Sequence, residues 1–196
     1  MLYSELQCSE AIHKAVERMG FAEMTEIQEK TIPVMMAGYD VIAKAPTGTG
    51  KTCAFGIPVA EHIDPEKKYP QAVIMAPTRE LAQQIAEELT ELTYFMPEVQ
   101  VACVYGGANM EKQAKRLAEG CQIVVATPGR LMDHYKHHSI DLAHVTQVVL
   151  DEADEMLNMG FYKDVRHIIE LMKARKSLSM FSATISREVM DIGWLY

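Results

Sequence analysis

With 196 residues, 48% of them hydrophobic and 23% charged, the chain has the size and make-up of one large globular domain able to bury a full core. No apolar run reaches the roughly 18 residues of a membrane helix, and the opening residues lack the basic region and long apolar stretch of a secretory signal, so a cytoplasmic protein is expected. The net charge of −8 excludes a broad electrostatic grip on nucleic acid, which needs many Lys and Arg against phosphates. Contact with a polyanion therefore has to be local, through backbone N–H groups, helix N-termini and a few arginines.

The chain opens with two helical patterns. Ser9 can cap a helix that carries Ile12, Val16 and Met19 on one face and closes at Gly20. Thr25 can start a second helix, with Gln28 three residues on in the spacing of a capping box. From Asp40 onward short β-rich runs alternate with helical spacing, and strands are expected at 41–44, 72–76, 100–104, 122–126, 145–150 and 178–181. Leu81, Ile85, Leu89 and Leu92 give one of the intervening helices a single apolar stripe. This alternation predicts an α/β fold with a mostly parallel central sheet and helices on both faces. Residues 1–38 would be a helical segment of the same domain, 39–196 the sheet and its helices, and 64–70 a surface turn rich in Pro and Lys. Cys8, Cys53, Cys103 and Cys121 form no Cys-x-x-Cys pair and read as buried thiols of a reducing compartment. His134 and His138 have no third ligand spaced nearby and read as surface histidines rather than a metal site.

Two segments about a hundred residues apart carry the chemistry. Ala45-Pro46-Thr47-Gly48-Thr49-Gly50-Lys51-Thr52 follows an expected strand and opens a helix. Its glycines let the backbone turn tightly and aim N–H groups at phosphate oxygens, Lys51 would reach the β- and γ-phosphates, and the Thr52 hydroxyl would bind Mg²⁺. Asp151-Glu152-Ala153-Asp154 ends another apolar run. There Asp151 suits Mg²⁺ held partly through water, and Glu152 suits the general base that orients and deprotonates an attacking water. Alone, these acids would merely favour a helix start; beside a phosphate loop they point to a nucleotide triphosphatase.

The pair, spelled APTGTGKT and DEAD, resembles the DEAD-box family of ATP-dependent RNA helicases, in particular the first of their two RecA-like domains. Gly20-Phe21 with Ile27-Gln28, Pro77-Thr78-Arg79, Gly106-Gly107, Thr127-Pro128-Gly129-Arg130 and Ser182-Ala183-Thr184 agree in order and spacing over nearly the whole chain. The resemblance implies ATP and Mg²⁺ as cofactors, a RecA-like P-loop NTPase fold, and adenine read by Gln28 with Phe21 stacked on the ring. Tyr3 stands where the family usually has an aromatic residue, and Met24 replaces a usual proline. Gln28 is equally placed to complete its helix cap, and both roles can coexist. Pro77, Thr78, Arg79, Gly106, Gly107, Thr127, Pro128, Gly129 and Arg130 would track the backbone of single-stranded RNA, with Arg79 and Arg130 adding charge. Ser182 and Thr184 would hydrogen-bond toward Asp154 and couple hydrolysis to movement.

The family's second RecA-like domain, with its arginine fingers, is absent from these residues. The 196 residues are therefore expected to act as a monomeric ATP-binding half that hydrolyses slowly and unwinds little alone. A non-catalytic, nucleotide-dependent RNA clamp or scaffold is the alternative, against which Lys51, Asp151 and Glu152 speak.

Overall fold

The computed structural model describes residues 1–46 and 50–196. Its six-stranded sheet consists of β1 (Ile42–Lys44), β2 (Ala72–Met75), β3 (Val101–Val104), β4 (Ile123–Ala126), β5 (Gln147–Asp151) and β6 (Ser177–Ser182). Every pair is parallel, and the spatial order is β1-β6-β5-β2-β4-β3. Parallel neighbours need crossovers, which α3 (Lys51–Glu61), α4 (Arg79–Leu92), α5 (Met110–Ala118), α6 (Pro128–Lys136), α7 (Ala153–Asn158) and α8 (Tyr162–Leu171) supply, while α1 (Glu10–Arg18) and α2 (Glu26–Met36) precede the sheet and α9 (Arg187–Leu195) follows it. This is the RecA-like α/β arrangement.

Residues two apart on a strand point to the same side, so β2 and β4 feed two cores. Ala72, Ile74, Ile123 and Val125 join the helices α1 to α4 on one face, with Phe55 against Phe181 at 5.3 Å. Val73, Met75, Val124 and Ala126 join α5 to α9 on the other. Tyr3, Leu6, Ile12, Val16 and Ile32, all from the first 38 residues, belong to the first of these cores.

The expected helix starts at Ser9 and Thr25 are present, with the Ser9 hydroxyl accepting from Ile12 N–H and Gly20 at φ +85° following α1. The fifth strand begins two residues later than expected, because Val145 N–H turns back to the Leu142 carbonyl, and it runs one residue further, taking Asp151 into the sheet. The turn at 64–70 is clasped by the buried side chain of Gln71, which binds Asp64 N–H and the carbonyls of Asp64 and Lys67.

Two expectations need correction. Cys53 and Cys121 are buried, but Cys8 and Cys103 are only partly so; burial pushes these thiols up to about 11 or 12, and all stay protonated at neutral pH. His134 is not a surface histidine: it is wholly buried, and its Nε2 faces Gln113 Oε1 at 3.0 Å. The signal was available, since His134 lies three residues after the core residue Leu131 and so on the same helix face.

Candidate nucleotide and RNA sites

The strand order divides the carboxyl-terminal edge of the sheet into two halves. On one half, β1 leads into the phosphate loop, β5 ends on Asp151, and β6 lies between them and ends at Ser182. The other half, β2-β4-β3, leads into Pro77, Thr127 and Gly106. In open α/β sheets this is the edge at which ligands bind.

Lys51, the first residue of α3, is buried with its Nζ 3.1 Å from Asp151 Oδ1 and 3.3 Å from Glu152 Oε1. The phosphate-loop cation thus sits on both carboxylates. Asp151 is wholly buried, and its Oδ2 meets no hydrogen-bond donor among the described residues. Burial pushes its carboxyl up to about 6 against the opposing pull of Lys51. Such an orphaned oxygen demands an explanation, and a hard cation that prefers oxygen donors supplies one, so the site fits Mg²⁺. Thr52 follows on α3, half-buried. Thr47, Gly48 and Thr49, expected at the phosphates, lie outside the described residues.

Glu152 adopts φ 51°, ψ 52° at the start of α7. A left-handed conformation at a non-glycine residue is held at some cost by its surroundings and recurs at functional positions. It turns the chain sharply from the buried strand, so that the adjacent acids Asp151 and Glu152 both reach Lys51.

Gln28 is 4% exposed, and both ends of its amide are engaged, with one N–H of Nε2 left over for a base. Its Oε1 accepts from the Tyr3 hydroxyl and from Thr25 N–H, the latter at 3.0 Å, while its Nε2 donates to the Gly50 carbonyl at 2.9 Å. The helix cap and the contact with the phosphate loop are therefore one arrangement. Gly50 stands at φ +78°, and a Cβ there would lie 2.6 Å from Gln28 Nε2, so only glycine allows this approach. Phe21, 44% exposed, stacks on Tyr3 at 6.3 Å and leaves ring surface open. A separate cleft of about 730 Å³ runs along the outer edge of β1, lined by Lys30, Val34 and Ile42 among others, and is not the space between Lys51 and its carboxylates.

The end of β6 carries the link between these groups. Ser182 accepts Ala45 N–H on its carbonyl at 2.8 Å, and its hydroxyl accepts Asp154 N–H at 3.1 Å. Thr184 donates to Asp154 Oδ2 from its hydroxyl at 2.8 Å and its N–H at 3.1 Å. Partial burial works to raise the Asp154 carboxyl, but the bonds at Thr184, Ser182 and nearby backbone N–H groups outweigh it and hold it below its ordinary value.

On the other half of the edge, the Thr78 hydroxyl caps α4 by accepting Leu81 N–H, and Thr127 precedes Pro128 at the first turn of α6. Arg79 is exposed and lies over the Tyr105 ring at 4.8 Å. Gly106 and Gly107 are exposed, with Gly107 at φ +83°. Arg130 differs from the expectation of an exposed charge: its side chain is 14% exposed and turns inward to the Ala108 carbonyl at 3.0 Å and Gln113 Oε1 at 3.2 Å. Gln113 did not stand out in the sequence, because a glutamine on an amphipathic helix carries no mark of burial.

A family model described as DEAD/DEAH box helicase matches residues 25–192. An ATP-dependent RNA helicase CshA of Limosilactobacillus reuteri is 49% identical over 98% of this chain and 39% of its own length. The ATP-dependent RNA helicase DeaD of Escherichia coli is 42% identical over 97% of the chain and 30% of its own. The chain thus spans two fifths or less of the length of these relatives. Among solved structures, a DEAD box protein from Methanococcus jannaschii superposes with TM-score 0.92 at 40% identity, covering 100% of this chain and 53% of that one. The structure of a hypothetical ATP-dependent RNA helicase from Sulfolobus tokodaii gives 0.87 at 39% identity, covering 96% and 54%. Since the matched region contains Gln28, Lys51, the acids at 151–154 and Thr184, the elements that build this site are those of the family, and the chain belongs to the DEAD/DEAH box helicases.

Proposed function

We propose that these residues are the ATP-binding half of an ATP-dependent RNA helicase, coupling Mg-ATP binding and hydrolysis to sequence-independent RNA binding and unwinding. The observation that carries the proposal is the Lys51 ammonium held on Asp151 and Glu152, beside the orphaned Asp151 Oδ2. When the triphosphate enters, Lys51 exchanges these carboxylates for the β- and γ-phosphate oxygens. That exchange leaves Glu152 to orient the attacking water and take its proton, while Asp151 and Thr52 would hold Mg²⁺. Bound Mg²⁺ would neutralise charge on the phosphates and on the leaving group. Phe21, backed by the buried Tyr3 ring, stacks on the base, and Gln28 carries information between the adenine edge and the phosphate loop through its bond to Gly50. Because β6 lies between the two nucleotide-handling strands, a shift at either one reaches Ser182, Thr184 and Asp154.

RNA would run across the β2-β4-β3 half, on the backbone of Pro77 to Arg79, Gly106-Gly107 and Thr127 to Gly129. Contacts to phosphate and sugar carry no sequence information, and preference for RNA requires a 2′-hydroxyl contact. The greater length of the relatives fits a second domain completing both sites, so robust turnover and unwinding would draw on it. The test compares oligouridine with oligodeoxythymidine of equal length, in affinity and in stimulation of phosphate release. RNA is expected to bind at least about fivefold tighter; equal response to DNA would overturn the RNA assignment.

Gln28→Ala probes base reading. Losing one or two hydrogen bonds of about 1 kcal/mol each should bring the preference for ATP over GTP down about tenfold, read by competition titration. Unchanged selectivity would confine Gln28 to capping α2 and bracing Gly50.

A further inference from the structure

Arg130, Gln113 and His134 meet beneath the Gly106-Gly107 turn. Gln113 is 8% exposed, and its Nε2 donates to the Tyr105 carbonyl at 3.0 Å. Its Oε1 faces Arg130 Nη1 at 3.2 Å and His134 Nε2 at 3.0 Å. Arginine can only donate, so the oxygen end of the amide is the one that faces it, and His134 Nε2 must then carry the hydrogen. The other ring nitrogen, Nδ1, is buried with no partner among the described residues, consistent with a neutral ring beside the Arg130 charge. The Tyr105 carbonyl is thus held by Gln113 and the Ala108 carbonyl by Arg130, one at each end of the exposed glycine pair. Tyr105 is tied further, its hydroxyl accepting from Gln83 Nε2 at 3.0 Å and its ring lying under Arg79.

We infer that Arg130, Gln113 and His134 form a buried latch that fixes the Gly106-Gly107 turn against the start of α6, so that Arg130 positions the RNA-contacting backbone and does not itself touch RNA. This rests on the RNA-groove reading proposed above. A phosphate-contacting arginine would present its guanidinium to solvent; this one is 14% exposed, directs Nη1 at a carbonyl and an amide oxygen inside the fold, and has its Nε 3.7 Å from Asp133 Oδ2. A buried imidazole with one unpartnered nitrogen is a costly way to fill space, and its bond to Gln113 Oε1 is what it contributes in return. The latch joins α5, α6 and the loop after β3, and so sets the spacing between two of the three RNA-facing segments before RNA arrives.

The experiment titrates fluorescein-labelled oligouridine with the 196-residue chain at several KCl concentrations, with Mg-ADP affinity measured alongside. Arg130→Met and Gln113→Leu should each weaken RNA binding about 5- to 30-fold, leave Mg-ADP affinity within about twofold, and leave the slope of log K against log salt unchanged. A guanidinium that neutralised a phosphate would take about 0.7 from that slope when removed, so such a drop for Arg130→Met overturns the inference. Wild-type RNA affinity in Gln113→Leu overturns it too. Should the leucine variant fail to fold, Gln113→Glu keeps an acceptor for Arg130 and His134 but turns the donor at the Tyr105 carbonyl into an oxygen that opposes it. It is expected to lose about 2- to 5-fold, and no loss there is equally fatal. If the wild-type chain itself fails to bind oligouridine, the RNA-groove reading falls instead, which separates the two failures.

Discussion

Lys51→Ala should lower Mg-ATP affinity by about 10- to 100-fold, from loss of one charge-assisted set of hydrogen bonds to phosphate, and bring hydrolysis below detection. Calorimetric titration and a phosphate-release assay read these directly. The same change acts on the fold, because it strips the cation from a buried Asp151 and its neighbour Glu152. Removing one partner of a buried ion pair usually costs about 3–5 kcal/mol, but a carboxyl that can take up a proton escapes part of that cost. Asp151 is such a group, already raised to about 6 by burial.

The sign of the pH dependence follows. A carboxyl whose folded pKa lies above its unfolded value binds its proton more readily in the folded chain, so its contribution to stability is present at low pH and is lost as pH rises through about 6. Without Lys51 the folded value climbs further, and the loss extends to higher pH. The thermal stability gap between wild type and Lys51→Ala should therefore be small near pH 5.5 and reach roughly 5 °C or more at pH 8. A gap that does not change with pH would mean that Asp151 is not the group bearing the charge. In the wild-type chain the same titration predicts that Mg-nucleotide affinity falls as pH drops below about 6, when Asp151 becomes protonated.

The strands were legible because parallel strands covered on both faces must be short apolar runs, a pattern that β2 and β4 show without interruption and β5 shows at Val148 to Leu150. Their order was not. Alternation assigns a residue to a face, but nothing in β6 announces that it lies between β1 and β5, and this placement is what puts Ser182 against both Ala45 and Asp154. Lys51, Asp151 and Glu152 could be named from residue type and spacing alone. The way Lys51 bridges the two acids, and the left-handed backbone that lets both reach it, depend on contacts between residues a hundred positions apart. Arg130 shows the converse. A motif arginine at a helix start suggests charge offered to a polyanion, yet its direction is set by Ala108 and Gln113, which only the folded chain brings within reach.

Glu152→Gln isolates the chemical step. Glutamine keeps the volume and the branch point of glutamate, so the left-handed turn at φ 51° and the start of α7 carry no new strain. Lys51 keeps Asp151 at 3.1 Å and remains available to the phosphates. What disappears is the basic oxygen that accepts a proton from water, a contribution generally worth about 10²- to 10⁴-fold. The expected outcome is Mg-ATP affinity within about threefold of wild type together with a fall of that size in single-turnover hydrolysis. Glu152→Ala would confuse the result, because it also removes a partner of Lys51 and changes the nucleotide-free state. Turnover retained in the glutamine variant would take Glu152 out of the base role. Parallel loss of affinity and turnover would instead show that its charge serves to hold Lys51 in place.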